Sequence, residues 1–122
     1  MEDALAEQPV EIARFTIPLT PTYFSKGIIN PGQAVSLFFG EADSLLTVLF
    51  SDGTPAVTTR IDRRANTNGS VRLVGGNQAV ARWFRRHFRP GDVVTARILG
   101  PYLIELMAAP ITPEAAGTGG VS

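Results

Sequence analysis

Residues 77–98, NQAVARWFRRHFRPGDVVTARI, hold a short helix, a turn and the start of a strand. Val80, Trp83, Phe84, His87 and Phe88 recur at i, i+3, i+4, i+7 and i+8, one apolar stripe of an amphipathic helix. Arg82, Arg85, Arg86 and Arg89 fall off that stripe and are expected to face water or a partner. Pro90 stops the helix, because it has no N–H to donate and holds Arg89 in extended geometry. Gly91 and Asp92 supply turn chemistry, and Val93, Val94, Ala96 and Ile98 begin a strand. A helix that passes through Arg-Pro-Gly-Asp into a β-branched strand is a corner of a mostly β fold.

Strand signals fill the chain on either side. Residues 14–19 alternate, with Phe15, Ile17 and Leu19 on one face and Arg14, Thr16 and Pro18 on the other; Pro18 favours an edge or a strand end. Thr20-Pro21 is a helix start, Thr as cap and Pro at the first position, and predicts one helical turn over 22–26 closed by Gly27. Ile28-Ile29 reads as a short extended piece stopped by Asn30-Pro31-Gly32. Residues 34–39, apolar and β-prone, predict a strand, as do 45–50. Ser51-Asp52-Gly53 predicts a hairpin turn, with 55–62 as the partner strand. A polar loop, RRANTNGS at 63–70, precedes a short strand at 71–74; further strands are expected at 93–99 and 102–107. Seven or eight short strands with two short helices predict a closed or partly open antiparallel barrel over residues 12–108. The acidic stretch 1–11 and the Ala/Pro/Gly/Thr stretch 109–122 are expected to be flexible tails.

The chain of 122 residues suffices for one small domain with a core, and 44% hydrophobic residues argue against disorder. There is no cysteine, so disulfides and thiolate chemistry are excluded, and a reducing cytoplasm is compatible. No apolar run approaches the roughly 18 residues of a membrane span, and the first residues lack the pattern of a secretory signal. A net charge of zero conceals an asymmetry. Four acids and no base precede residue 12, whereas Arg60–Arg89 carries eight arginines against the single acid Asp62, a net +7. Arginine forks suit phosphates and guanine edges; a merely solvated basic face is the plainer alternative.

Catalytic and metal chemistry find little material. His87, the lone histidine, lies on the apolar stripe and is read as a packed, hydrogen-bonded core residue rather than a catalyst. With no cysteine and no second histidine, a zinc site is not expected. Asp52 and Asp92 sit in turns, and Gly69, Gly75 and Gly76 match no phosphate-binding loop. No cofactor and no catalytic residue is expected.

Leu19-Thr20-Pro21, Ile29-Asn30-Pro31, Trp83-Phe84 and Gly91-Asp92-Val93-Val94 follow one another in an order that resembles the DNA-binding pseudobarrel superfamily. That superfamily includes the B-three domains of plant transcription factors and the effector-DNA-binding domains of EcoRII-type and BfiI-type restriction endonucleases. The resemblance spans about residues 12–108. The Asn30-Pro31-Gly32 step departs from the plant pattern and lacks the Lys that usually follows the proline, so the bacterial, restriction-type branch is the nearer one. No catalytic endonuclease domain is visible.

The resemblance implies a fold that grips double-stranded DNA with two arms laid in the major groove. On this chain the N-terminal arm would be Thr20, Thr22, Tyr23, Ser25 and Lys26, and the C-terminal arm Arg60, Asp62, Arg63, Arg64, Asn66 and Asn68. Arg can read guanine and Asn adenine, while Lys26, Ser25 and Thr22 suit phosphates. Each also has a structural reading: Thr20 as a cap, Tyr23 as a core ring, Asn66 and Asn68 as turn formers. Arg82, Arg85, Arg86 and Arg89 either add to the field or lie on the back of the barrel. The implied function is sequence-specific duplex-DNA binding without catalysis, alone or beside a separate nuclease subunit. A protein-interaction or small-ligand-binding β-barrel whose arginines only solubilise it is the alternative. The sequence leaves the oligomeric state open.

Overall fold

In the computed structural model, which describes residues 10–64, 66 and 68–109, the chain forms an open, curled, mixed sheet of six strands, a half-barrel, with three short helices. The strands are β1 (Ala13–Pro18), β2 (Leu45–Phe50), β3 (Val57–Asp62), β4 (Arg72–Val74), β5 (Val93–Gly100) and β6 (Leu103–Leu106). The α-helices are α1 (Pro21–Lys26) and α2 (Asn77–His87); Gln33–Phe38 is a 3-10 helix. The strand order is β1-β5-β6-β2-β3-β4. All neighbours are antiparallel except β2 and β6, which run parallel.

Period-2 alternation builds this sheet as expected. Phe15 and Ile17 on β1, Leu46, Val48 and Phe50 on β2, Thr59 and Ile61 on β3, and Val94, Ala96 and Ile98 on β5 all point into one core. The apolar stripe of α2 closes over it, with Val80, Trp83 and Phe84 fully buried and the Trp83 ring 4.9 Å from that of Phe50. Beyond α2, Arg89 N–H donates to the Asp92 carboxylate at 2.9 Å, and Gly91 takes φ +98°, a backbone state that favours glycine. The same turn holds the other end of the molecule. Gly91 N–H donates to the Leu19 carbonyl at 2.7 Å and Leu19 N–H to the Asp92 carbonyl at 2.8 Å. The start of α1 is thereby fixed to the corner after α2. Pro18 ends β1, which is an edge strand.

Three expectations need correction. The sheet has six strands rather than seven or eight, and it is mixed rather than antiparallel. Tight β5–β6 pairing through Gly100–Tyr102 delivers β6 into the gap beside β2, pointing the same way. Residues 34–39, expected as a strand, belong to the 3-10 helix and its cap, which makes three helices rather than two. Ser36 drives that outcome, because its hydroxyl donates to the Gly32 carbonyl at 2.8 Å and accepts from Val71 N–H at 2.9 Å.

His87 is hydrogen-bonded as expected, yet it stands at the rim, with its side chain about a quarter exposed. Glu11, counted with the acidic tail, pairs with Arg14 and Arg97. The stretches 1–9 and 110–122 lie outside the described residues.

Candidate nucleic-acid interface

The N-terminal arm is α1 and its flanks. Thr20 Oγ1 accepts from Tyr23 N–H at 3.2 Å, so the threonine caps the helix, and Pro21 occupies the first turn. The last turn ends in Ser25 and Lys26, both exposed, and Gly27 closes it at φ +66°. Thr22 is exposed on the same turn; Ser25 Oγ donates to its carbonyl at 3.4 Å. Tyr23 packs its ring against the core. Its hydroxyl accepts from Asn30 Nδ2 at 3.2 Å.

The C-terminal arm is the β3–β4 connection. Asn66 Nδ2 donates to Asn30 Oδ1 and to the Ser70 carbonyl, both at 3.2 Å. Asn30 therefore links the two arms: Tyr23, Asn30, Asn66 and the Ser70 carbonyl form one hydrogen-bonded row. Asn68 Oδ1 accepts from both Ser70 N–H (3.0 Å) and Ser70 Oγ (2.8 Å), which shapes the turn while the residue stays exposed. Asn30, Gln33, Asn66 and Asn68 line an open, polar groove of ≈ 330 Å³.

The arm arginines divide by what they hold. Arg63 Nη2 lies 3.1, 3.1 and 2.9 Å from the carbonyls of Ser36, Phe39 and Gly40, so its guanidinium clasps the end of the 3-10 helix. Arg60 and Arg64 both reach Asp43 Oδ1, at 3.3 and 2.6 Å. The Arg64 side chain remains 72% exposed and can exchange that carboxylate for another anion. Asp62 Oδ1 accepts from Arg64 N–H at 2.7 Å, which orients the start of the loop. Asp62 also lines a groove of ≈ 360 Å³ with Lys26, Arg72 and Asn77. Lys26 thus brings the N-terminal arm against the β3–β4 ladder, where Arg72 stands opposite Asp62 in register.

Two contributors escaped sequence reasoning. Asn30 was read as a strand stop and as part of the Ile29-Asn30-Pro31 step, and nothing in its neighbourhood marks it as a link between loops 36 residues apart. Arg72 could have been found by pairing the strands on either side of the RRANTNGS loop.

Elsewhere, Asp52 joins α2 to the β2–β3 connection. Oδ1 accepts from Trp83 Nε1 and from Thr54 N–H, each at 3.1 Å, and Oδ2 lies 2.8 Å from His87 Nε2. Burial favours the neutral acid, but the hydrogen bonds from Thr54, Trp83 and His87 outweigh it and hold the carboxyl well below the usual aspartate range. Both oxygens carry hydrogen bonds, so the cluster latches α2 to the β2–β3 connection. Among the described residues, no three His, Cys, Asp or Glu side chains gather where a metal could be held, and no helix is long and apolar enough to cross a membrane.

No family model and no curated protein matches this sequence. The fold is similar to the solved structure of a hypothetical protein of Arabidopsis thaliana, with a TM-score of 0.58 at 15% identity over 77% of this chain and 86% of that one.

Proposed function

We propose that this chain is a non-catalytic, sequence-specific double-stranded-DNA-binding module of the pseudobarrel type, of the kind used for recognition in restriction systems. The observation that carries this reading is the row Tyr23–Asn30–Asn66, which ties the exposed turn Thr22–Lys26 to the loop bearing Arg64 and Asn68. Donors suited to phosphates and donors suited to base edges thereby share one side of the half-barrel. Lys26, Thr22 and Ser25 set the register on the backbone, and Arg64 and Asn68 read bases. Arg63, Thr20, Tyr23 and Asn66 hold the arms in shape, and Arg60 shares Asp43 with Arg64. The module acts alone or beside a separate nuclease subunit.

Binding-site selection from a random duplex pool, with parent, Arg64→Ala and Lys26→Ala, tests the reading. Parent binding is expected to weaken steeply with salt as counterions are released. Arg64→Ala is expected to cost about 1–3 kcal/mol and relax one base position. Lys26→Ala weakens all sequences alike and lowers the salt slope by about one unit. A parent that retains no duplex at about 50 mM salt leaves the protein-interaction or small-ligand barrel as the better account.

A further inference from the structure

Lys26 also lines a second groove, whose α2 wall lies outside the two arms. The walls of this groove are Ser25 and Lys26 from α1, and Gln78, Ala81, Arg82 and Arg85 from α2; its volume is ≈ 440 Å³. Gln78, Arg82 and Arg85 recur at i, i+4 and i+7, so they share one helix face. The floor is rigid. At Gly27 the two helices approach so closely that a Cβ would lie 2.1 Å from the Asn77 carbonyl oxygen and 2.7 Å from Ala81 N. Asn77 Nδ2 donates to the Gly27 carbonyl at 2.7 Å and pins the contact.

No acid lines the groove, and Lys26, Arg82 and Arg85 make no ion pair among the described residues. Elsewhere Arg14 and Arg97 share Glu11, Arg97 also reaches Glu105, and Arg60 and Arg64 share Asp43. Three cations converging without a counter-charge repel one another, and an anion from outside removes that repulsion. Arg82 and Arg85 stand one turn apart, with Cβ atoms about 5–6 Å from each other, and their planar forks suit successive phosphates along a strand. Lys26 borders both this groove and the one lined by Asp62 and Arg72, so the two grooves meet at one cation.

We infer that the α1–α2 groove is a backbone clamp: Arg82 and Arg85 hold phosphates of the same duplex beyond the stretch read by the arms. This extends the DNA-binding reading and rests on it. It is tested by duplex titrations over a range of salt, and by site selection, on the full chain carrying Arg82→Ala plus Arg85→Ala. Arg89→Ala serves as a control that removes one exposed positive charge outside the groove. Both groove arginines are exposed, so the double variant should fold as the parent does, which circular dichroism checks. The salt slope is expected to fall by about two units, with a loss of affinity equal across sequences and an unchanged selected site. The control should move the slope by less than about half a unit. A parent that binds duplex while the double variant keeps the same slope overturns the clamp and leaves the arms standing. A changed site in the double variant also overturns it, since phosphate contacts carry no base preference. A parent that binds no duplex overturns both readings together.

Discussion

Arg63 is the residue whose loss most directly separates holding an arm from touching DNA. Its Nη2 carries two hydrogens but faces three carbonyls, those of Ser36, Phe39 and Gly40, at 2.9–3.1 Å. At most two full hydrogen bonds form, one of them shared. The Ser36 carbonyl also accepts from Phe39 N–H, so truncation strands chiefly the Phe39 and Gly40 carbonyls. A hydrogen bond to a charged group contributes about 1.5–3 kcal/mol, and the site is only partly buried, so water recovers some of it. Arg63→Ala is therefore expected to destabilise the fold by about 2–3 kcal/mol, read as a lower urea midpoint at constant m-value. DNA affinity should fall with stability while the selected base sequence stays the same. Arg63→Lys keeps the charge but not the planar reach to several carbonyls, and should recover less than half. A loss below about 0.5 kcal/mol, or a changed base at one position of the selected site, would refute the clasp and return Arg63 to the base-reading set.

Trp83→Ala removes a fully buried ring and the Nε1 donor to Asp52, and should cost about 3–5 kcal/mol by denaturant unfolding, whereas Trp83→Phe should cost markedly less. Asp52, whose folded-state pKa is depressed, contributes stability that is present above its unfolded value of about 3.9 and is lost as pH falls towards the folded value. Melting temperatures of Asp52→Asn followed from pH 6 to pH 2 should thus show a shallower acid-side decline than the parent; parallel curves would count against the latch.

How much of this was legible beforehand depends on the distance over which each decision is made. The capped turn Thr20–Lys26, the helix stripe around Trp83 and the alternating strands were readable, because capping, 3.6-residue and 2-residue periods are local signals. The Gln33–Phe38 turn was not. A short apolar run fits strand or helix equally, and the deciding contacts come from Val71 and Arg63, far along the chain. The parallel pairing of β2 with β6 was invisible for a related reason: alternation says which face is buried but not which neighbour runs alongside. The basic segment was visible as a charge count, but the count overstated what the arms present. Asp43 lies outside the segment, 17 and 21 residues before the two arginines it binds. The pairing of Lys26 with Arg82 and Arg85 depends on how two helices cross at Gly27, which no linear spacing encodes.

The position of β6 also dictates an order of events as the chain leaves the ribosome. β5 and β2 lie on either side of β6 and do not pair with each other, so until Leu103–Leu106 is available each exposes a bare row of backbone donors and acceptors in what will become the middle of the sheet. β2, β3 and β4 can zip early by neighbouring antiparallel contacts. The β1–β5 pairing must close a gap of about 75 residues, and the parallel β2–β6 pairing one of about 56; both carry a high entropic cost in the unfolded chain. Chains released before Leu103 would present two unsatisfied strands to one another, an arrangement that invites intermolecular pairing. Among the described strands β6 thus works as a keystone, the one through which the β1–β5 pair and the β2–β3–β4 ladder become a single sheet.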